Sequence, residues 1–138
     1  MKKEILVIDA QGGGVGRQLV SRLKAAFPEA YVAAVGTNSS ASSNMLKGGA
    51  DHAATGENAV VVACRTADLI VGPIGIVIAD AMYGEITPKM ANAVGSARGR
   101  RILIPFQNCY NIIAGVDKPV TQLIEAAVAE AKKILADE

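Results

Sequence analysis

Residues 8–17 read IDAQGGGVGR, and four of the five positions from 12 to 16 are glycine. An apolar run, Ile5-Leu6-Val7-Ile8, leads into them, and a helical pattern follows. The first amides of a helix have no partner inside it and carry partial positive charge. Bare glycine backbone lets a phosphate oxygen reach those amides with no Cβ in the way. Arg17 adds a full positive charge in the first turn. Gln11, Gly12, Gly13, Gly14, Gly16 and Arg17 therefore read as an anion cradle. A tight strand-to-helix turn with close packing would also use glycine, but one or two would serve it.

The other small and polar residues are placed just as unequally. Gly36-Thr37-Asn38-Ser39 follows the second apolar run, Gly72-Pro73-Ile74-Gly75 the third, and Pro105-Phe106-Gln107-Asn108 the fourth. The opposite ends of the same runs are ordinary surface: Lys2-Lys3-Glu4, Pro28-Glu29, Ala67-Asp68 and Arg100-Arg101. In an open parallel sheet all the exits share one edge, and ligands bind in the crevice there. Thr37, Asn38, Ser39, Gly72 and Gly75 join the cradle as candidate ligand-binding residues on that ground.

The dinucleotide fingerprint G-x-G-x-x-G fails, because Gly12 and Gly14 fit but Arg17 holds the sixth position. The acid expected near the end of the second strand, where it would hold a ribose hydroxyl, is missing; Thr37-Asn38-Ser39-Ser40 stands there. Hydroxyls and amides suit a phosphate or a neutral polar group better, which tilts the reading away from NAD and mildly toward NADP or a phosphorylated metabolite. GGVGRQ looks like the phosphate loop of the deviant Walker ATPases, with Arg17 and Gln18 where Lys and Ser/Thr belong. The lost hydroxyl removes the magnesium ligand, which disfavours ATP hydrolysis. Ile74, Ile76 and Met82 could wall the pocket.

Candidate reactive groups are few. Asp9 leaves the first strand at the cradle, to cap a turn or to bind metal or substrate. Asp80 interrupts an apolar segment and must be paired, exposed or raised in pKa. Helix capping explains Thr55 and Thr87 but not Glu57 and Glu85, which stand as acid or base candidates. Cys109 reads as a small buried residue before it reads as a nucleophile. A zinc site would need His52, both cysteines and a carboxylate, so no metal site is expected.

These groups need elements to hold them. Ile5–Ile8 is the first strand, and Val15, Leu19, Val20, Leu23 and Phe27 mark a helix from Val15 to Ala26 that stops before Pro28. Tyr31–Val35 is the second strand, and Asn38-Ser39-Ser40 caps a short helix ending at Gly48-Gly49. Val60-Val61-Val62 fits a helix or a buried strand equally, and residues 59–64 stay open between them. Leu69–Val71 is a strand, Gly75–Tyr83 an apolar helix ended by Gly84, and Thr87-Pro88 the start of another helix to about Ala97. Ile102–Ile104 and Ile112-Ile113 complete the strands, and a stripe from Leu123 to Leu135 marks a terminal helix. Continuous apolar strands between helices predict a mostly parallel sheet of about five strands in a three-layer α/β/α sandwich, as one domain over 1–138.

Composition removes whole classes of partner. A net charge of +1 provides no field for nucleic acid or an anionic membrane. With no Trp, two Phe and three Tyr, there is no base-stacking platform. Arg98-Gly99-Arg100-Arg101 reads as a solvated loop. No signal peptide or membrane-spanning run is visible, and two isolated cysteines fit a reducing, cytoplasmic setting.

DAQGGGVGRQ, GTNSSASSNMLKGGA, ATGENA, GPIGI and GEITPKM together resemble an uncharacterised bacterial family of small Rossmann-like proteins, the domain of unknown function 3842 family. The resemblance runs from about Ile5 to Ile113. It implies a Rossmann-like fold and a ligand site lined by those segments, and no established reaction. The expectation is a protein that binds a nucleotide or another phosphorylated small molecule, an NADP-type enzyme among the choices, working as a homo-oligomer. The alternative is a non-catalytic oligomeric regulatory or assembly module, whose glycines only allow close packing between subunits.

Overall fold

The computed structural model describes residues 2–105 and 111–136. Five strands form one sheet: β1 (Glu4–Asp9), β2 (Tyr31–Gly36), β3 (His52–Thr55), β4 (Leu69–Pro73) and β5 (Arg100–Ile104). The helices are α1 (Gly14–Ala26), α2 (Ser39–Lys47), α3 (Glu57–Ala63), α4 (Pro88–Gly95) and α5 (Val120–Ala136). The strand order is β3-β2-β1-β4-β5, and every pairing is parallel. Parallel strands have apolar side chains on both faces, so both faces need cover. Along β1, Ile5 and Val7 pack with Leu19, Leu23, Met45 and Ile124, under α1, α2 and α5. Leu6 and Ile8 point the other way, into Val60, Ile76, Met90 and Val94, under α3, α4 and the segment before α4. This is the predicted three-layer sandwich.

The helix signals at Asn38 and Thr87 act as read. The Asn38 side chain accepts from the Ala41 amide at 2.9 Å, and the Thr87 hydroxyl accepts from the Met90 amide at 3.1 Å ahead of Pro88. Residues 57–63 form a helix, which resolves the ambiguity left at Val60–Val62.

Two predicted elements are corrected. Gly75–Tyr83 is not a helix: a short 3-10 turn (Ile74–Val77) is followed by a loop in which Asp80, Met82 and Tyr83 have φ of 65°, 57° and 59°. Its apolar residues arise because Ile76, Ala81 and Ile86 are buried against the sheet face, a requirement that looks helical in sequence. Ile112 and Ile113 form no strand, and Ile112 is exposed. The fifth strand is His52–Thr55, four residues at the sheet edge with too little β-branched character to show.

At the amino edge of the sheet, carboxylates secure the chain. Asp68 accepts from the Glu4 amide at 2.8 Å, and Asp51 accepts from the Val32 amide at 2.8 Å while pairing with Lys24 at 2.9 Å. The carboxyl edge is different.

Candidate functional site

β1 has its first crossover on one side of the sheet, to β2, while β4 lies on its other side, so the crevice between β1 and β4 is the topological switch point. The glycine loop sits at its mouth. Alternation along β1 sends Asp9 to the α1 side, where it is nearly fully buried. Its two oxygens accept from the Ala10 amide at 2.8 Å and the Gly16 amide at 2.7 Å. Asp9 is thus the internal cap of the loop, the turn-capping alternative of the sequence reading. Burial pushes its carboxyl above the ordinary value, against the pull of the Ala10 and Gly16 amides; the Glu85 charge adds to the rise.

The four glycines divide into two pairs. Gly13 lies in the left-handed region at φ 71°, and a Cβ there would stand 2.8 Å from the Ala41 backbone. At Gly16 a Cβ would stand 2.6 Å from Met45 Sδ and 2.8 Å from Asp9 Cβ. Packing inside the chain accounts for these two. A Cβ on Gly12 or Gly14 would meet nothing among the described residues within 4 Å, and neither has positive φ. Neither the fold's contacts nor its dihedrals demand glycine at those positions.

The amides divide in the same way. Gly13 donates to the Ala10 carbonyl and Arg17 to the Gly13 carbonyl, while Gly16 is held by Asp9. Among the described residues the Gly12, Gly14 and Val15 amides have no partner. Arg17 is exposed, and its Nη1 donates to Asn44 Oδ1 at 3.0 Å. Asn44 Nδ2 in turn donates to the Gly12 carbonyl at 2.9 Å. The sequence reading missed Asn44. A contact spanning 32 residues leaves no local signal.

Glu85 has the most consequential position. From the loop before α4 it reaches across the switch point. Its Oε1 accepts from the Gln11 amide at 2.8 Å, Thr37 Oγ1 at 2.6 Å and Asn38 Nδ2 at 2.9 Å. Asn38 Nδ2 also donates to the Gln11 carbonyl at 3.0 Å. Gln11, Thr37, Asn38 and Glu85, read from three separate segments, meet at one point. Burial works to raise the Glu85 carboxyl, but the Thr37, Gln11 and Asn38 donors outweigh it and leave it below its ordinary value.

These opposed shifts have opposed consequences. The Glu85 strap adds stability that is complete above its ordinary 4.5 and fades as pH falls through the folded-state value. For Asp9 the contribution is complete below the ordinary 3.8 and fades as pH rises through its raised value. The Gln11 amide proton should lose its low-field NMR shift on acidification, with a midpoint below pH 4.5. A midpoint above that value, or the same titration in Glu85→Gln, would contradict the strap.

The remaining candidates lie around this point or outside it. Ser39 is the exposed first residue of α2. Gly72 makes room for the Ile8 carbonyl, which a Cβ would approach to 2.5 Å, and Gly75 makes room for Met82. Ile76 is fully buried and cannot wall a pocket, whereas Ile74 and Met82 are half-buried. Glu57 occupies the first turn of α3, where an acid suits the helix dipole. Asp80 is exposed at its left-handed position, in no helix. Cys109, with Phe106, Gln107 and Asn108, lies outside the described residues. Burial pushes the Cys64 thiol up to about 11, far from a reactive thiolate. Among the described residues, no three His, Cys, Asp or Glu side chains come together as a metal site, and no helix is long and apolar enough to cross a membrane.

A second buried polar group steadies the site from below. Ser42 Oγ accepts from the Gly36 amide at 3.2 Å, contacts the Ala54 carbonyl at 2.8 Å and meets Thr55 Oγ1 at 2.6 Å. It ties the ends of β2 and β3 to α2. A cleft of about 790 Å³ lies at the opposite edge, between Phe27, Pro28 and the end of α5, and no strand exit among the described residues lines it.

The family model for a domain of unknown function, DUF3842, matches residues 4–136. The chain belongs to this family. Membership in DUF3842 thus takes in every strand and helix of the fold. No curated protein matches the chain. Among solved structures, the FMN-dependent cysteine decarboxylase TvaF from thioviridamide biosynthesis superposes with a TM-score of 0.52 at 15% identity, over 95% of this DUF3842 chain and 87% of its own. PA4631, a nucleoside-diphosphate-sugar epimerase from Pseudomonas aeruginosa, gives a TM-score of 0.45 at 10% identity, over 99% of this chain and 49% of the epimerase. The decarboxylase bears on the fold alone, and with the strand order it makes this DUF3842 chain Rossmann-like.

Proposed function

We propose that this chain binds a nucleotide or another phosphorylated small molecule at the carboxyl edge of its sheet, with a phosphate on the Gly12, Gly14 and Val15 amides and Arg17 beside it. The observation that carries this reading is the open space over Gly12 and Gly14, where nothing among the described residues calls for glycine. Unpaired amides at a helix start, beside a switch point, form the arrangement that favours an anion. Gly13 and Gly16 shape the loop, Gln11, Thr37 and Asn38 meet beside it on Glu85, and Ser39, Gly72 and Gly75 join the proposed site only by their places at the strand exits. A helix terminus contributes about 1–2 kcal/mol toward an anion at best. Micromolar affinity takes about 8 kcal/mol, so the sugar and base must supply most of it. Ile74 and Met82 are the apolar residues at hand.

Thermal unfolding with inorganic phosphate, AMP, GMP, UMP, CMP, NAD, NADP and FMN tests this. A ligand at 100 times its Kd adds about 2.7 kcal/mol and raises Tm by several degrees. Gly14→Val should fold and lose the shift, because its methyls would cover the amides. No shift with any compound, or a full shift in Gly14→Val, would overturn the reading.

A further inference from the structure

Dinucleotide-binding sheets hold the ribose with an acid at the end of their second strand. Here that place reads Thr37-Asn38-Ser39, with no acid. The structure fills it from elsewhere: Glu85, 48 residues beyond Thr37, sets its carboxylate on the Thr37 hydroxyl, the Asn38 amide and the Gln11 amide. We propose that Glu85 is the ribose acceptor of the nucleotide site and makes it select a free 2′-hydroxyl over a 2′-phosphate. The inference rests on the nucleotide reading above and specifies its ligand.

Three observations support it. First, all three donors fall on Oε1. A carboxylate has about four acceptor positions, and Oε2 has no protein partner among the described residues. That oxygen remains for ligand hydroxyls.

Second, two of the donors at the exit of β2 that could meet a 2′-phosphate, Thr37 and Asn38, are already committed. The Thr37 hydroxyl proton goes to Glu85, and the two Asn38 amide protons go to Glu85 and to the Gln11 carbonyl. No cation pairs with Glu85 among the described residues, and Arg17 is turned to Asn44. A 2′-phosphate would therefore face an uncompensated negative charge. The polar exit of β2 favoured NADP when read alone; with Glu85 on it, the preference reverses.

Third, Glu85 is held in place. Asp80 donates to the Ile86 carbonyl at 2.7 Å and Ile86 to the Ala81 carbonyl at 3.2 Å, closing the loop. Ile86, the next residue, is buried. The left-handed residues Asp80, Met82 and Tyr83 give this loop a shape that L side chains rarely adopt. Such strain concentrates where a group must be positioned.

The test is a set of calorimetric titrations on wild type and Glu85→Gln. The glutamine keeps an oxygen for the three donors but replaces the free oxygen with an N–H donor. In wild type, AMP, GMP, UMP and CMP are compared with their 2′-deoxy forms, and NAD with NADP. The wild-type protein should prefer its ribonucleotide over the 2′-deoxy form, and NAD over NADP, each by about tenfold or more. In Glu85→Gln the NAD preference should vanish or invert. Should that variant fail to fold, Glu85→Asp, which withdraws the carboxylate by one methylene, should narrow both ratios. Nucleotides that bind with flat ratios, or ratios unchanged in the folded variant, would overturn the role of Glu85 and leave the nucleotide site standing. Binding of no nucleotide would overturn both.

Discussion

Replacing Gly13 with alanine should lower the stability of the fold by about 2–5 kcal/mol, while the same change at Gly14 moves it by no more than about 0.5 kcal/mol. The two residues are adjacent and look alike in sequence. At Gly13 the new Cβ would meet the Ala41 backbone at 2.8 Å, and the left-handed φ of 71° is costly for any side chain. Backbone cannot swing aside as a flexible side chain can, so α2 would have to shift. Gly14 has ordinary φ and open space, and alanine there narrows the freedom of the unfolded chain, which slightly favours the fold. Urea unfolding should show a much lower midpoint for Gly13→Ala with an unchanged slope. Equal midpoints for the two variants would refute the division of the glycines into packing and open pairs.

Asp9→Ala should cost about 2–4 kcal/mol, because two buried amides, Ala10 and Gly16, lose a charged acceptor. Asp9→Asn should lose less than alanine without matching wild type, because it keeps one acceptor oxygen and sheds the buried charge. One of its two terminal groups is an N–H donor, and it would face another donor. The loss should appear as faster hydrogen exchange at Gly16, before any effect at the far edge near Asp51. An Asp9→Asn protein as stable as wild type would mean that the carboxylate does not hold the loop.

The legibility of this fold followed the range of the interactions. β1, β4 and β5 show as apolar runs because each is covered on both faces, and Asn38 and Thr87 show as caps because their partners are three residues away. The candidate-site segments could be grouped because a parallel sheet collects its exits on one edge. β3 did not show, since four alanine-rich edge residues need little hydrophobic signal. The segment from Ile74 to Tyr83 misled, since burying Ile76 and Ala81 from a loop gives the same apolar count as a helix. At the site, the glycine cluster was legible but its internal division was not, because Ala41 and Met45 come from another helix. Glu85 was visible only as an unexplained acid, since its three partners lie 47 to 74 residues away.

The Glu85 strap joins the turns after β1 and β2 to the turn after β4 through a single oxygen atom. Changes at Gln11, Thr37, Asn38 and Glu85 are therefore not independent, and their effects should not add in combination. An acid lost at 85 leaves a hydroxyl and two amides without that acceptor, and the three turns must then find new partners together. Taking this loop into another protein would mean carrying all three turns.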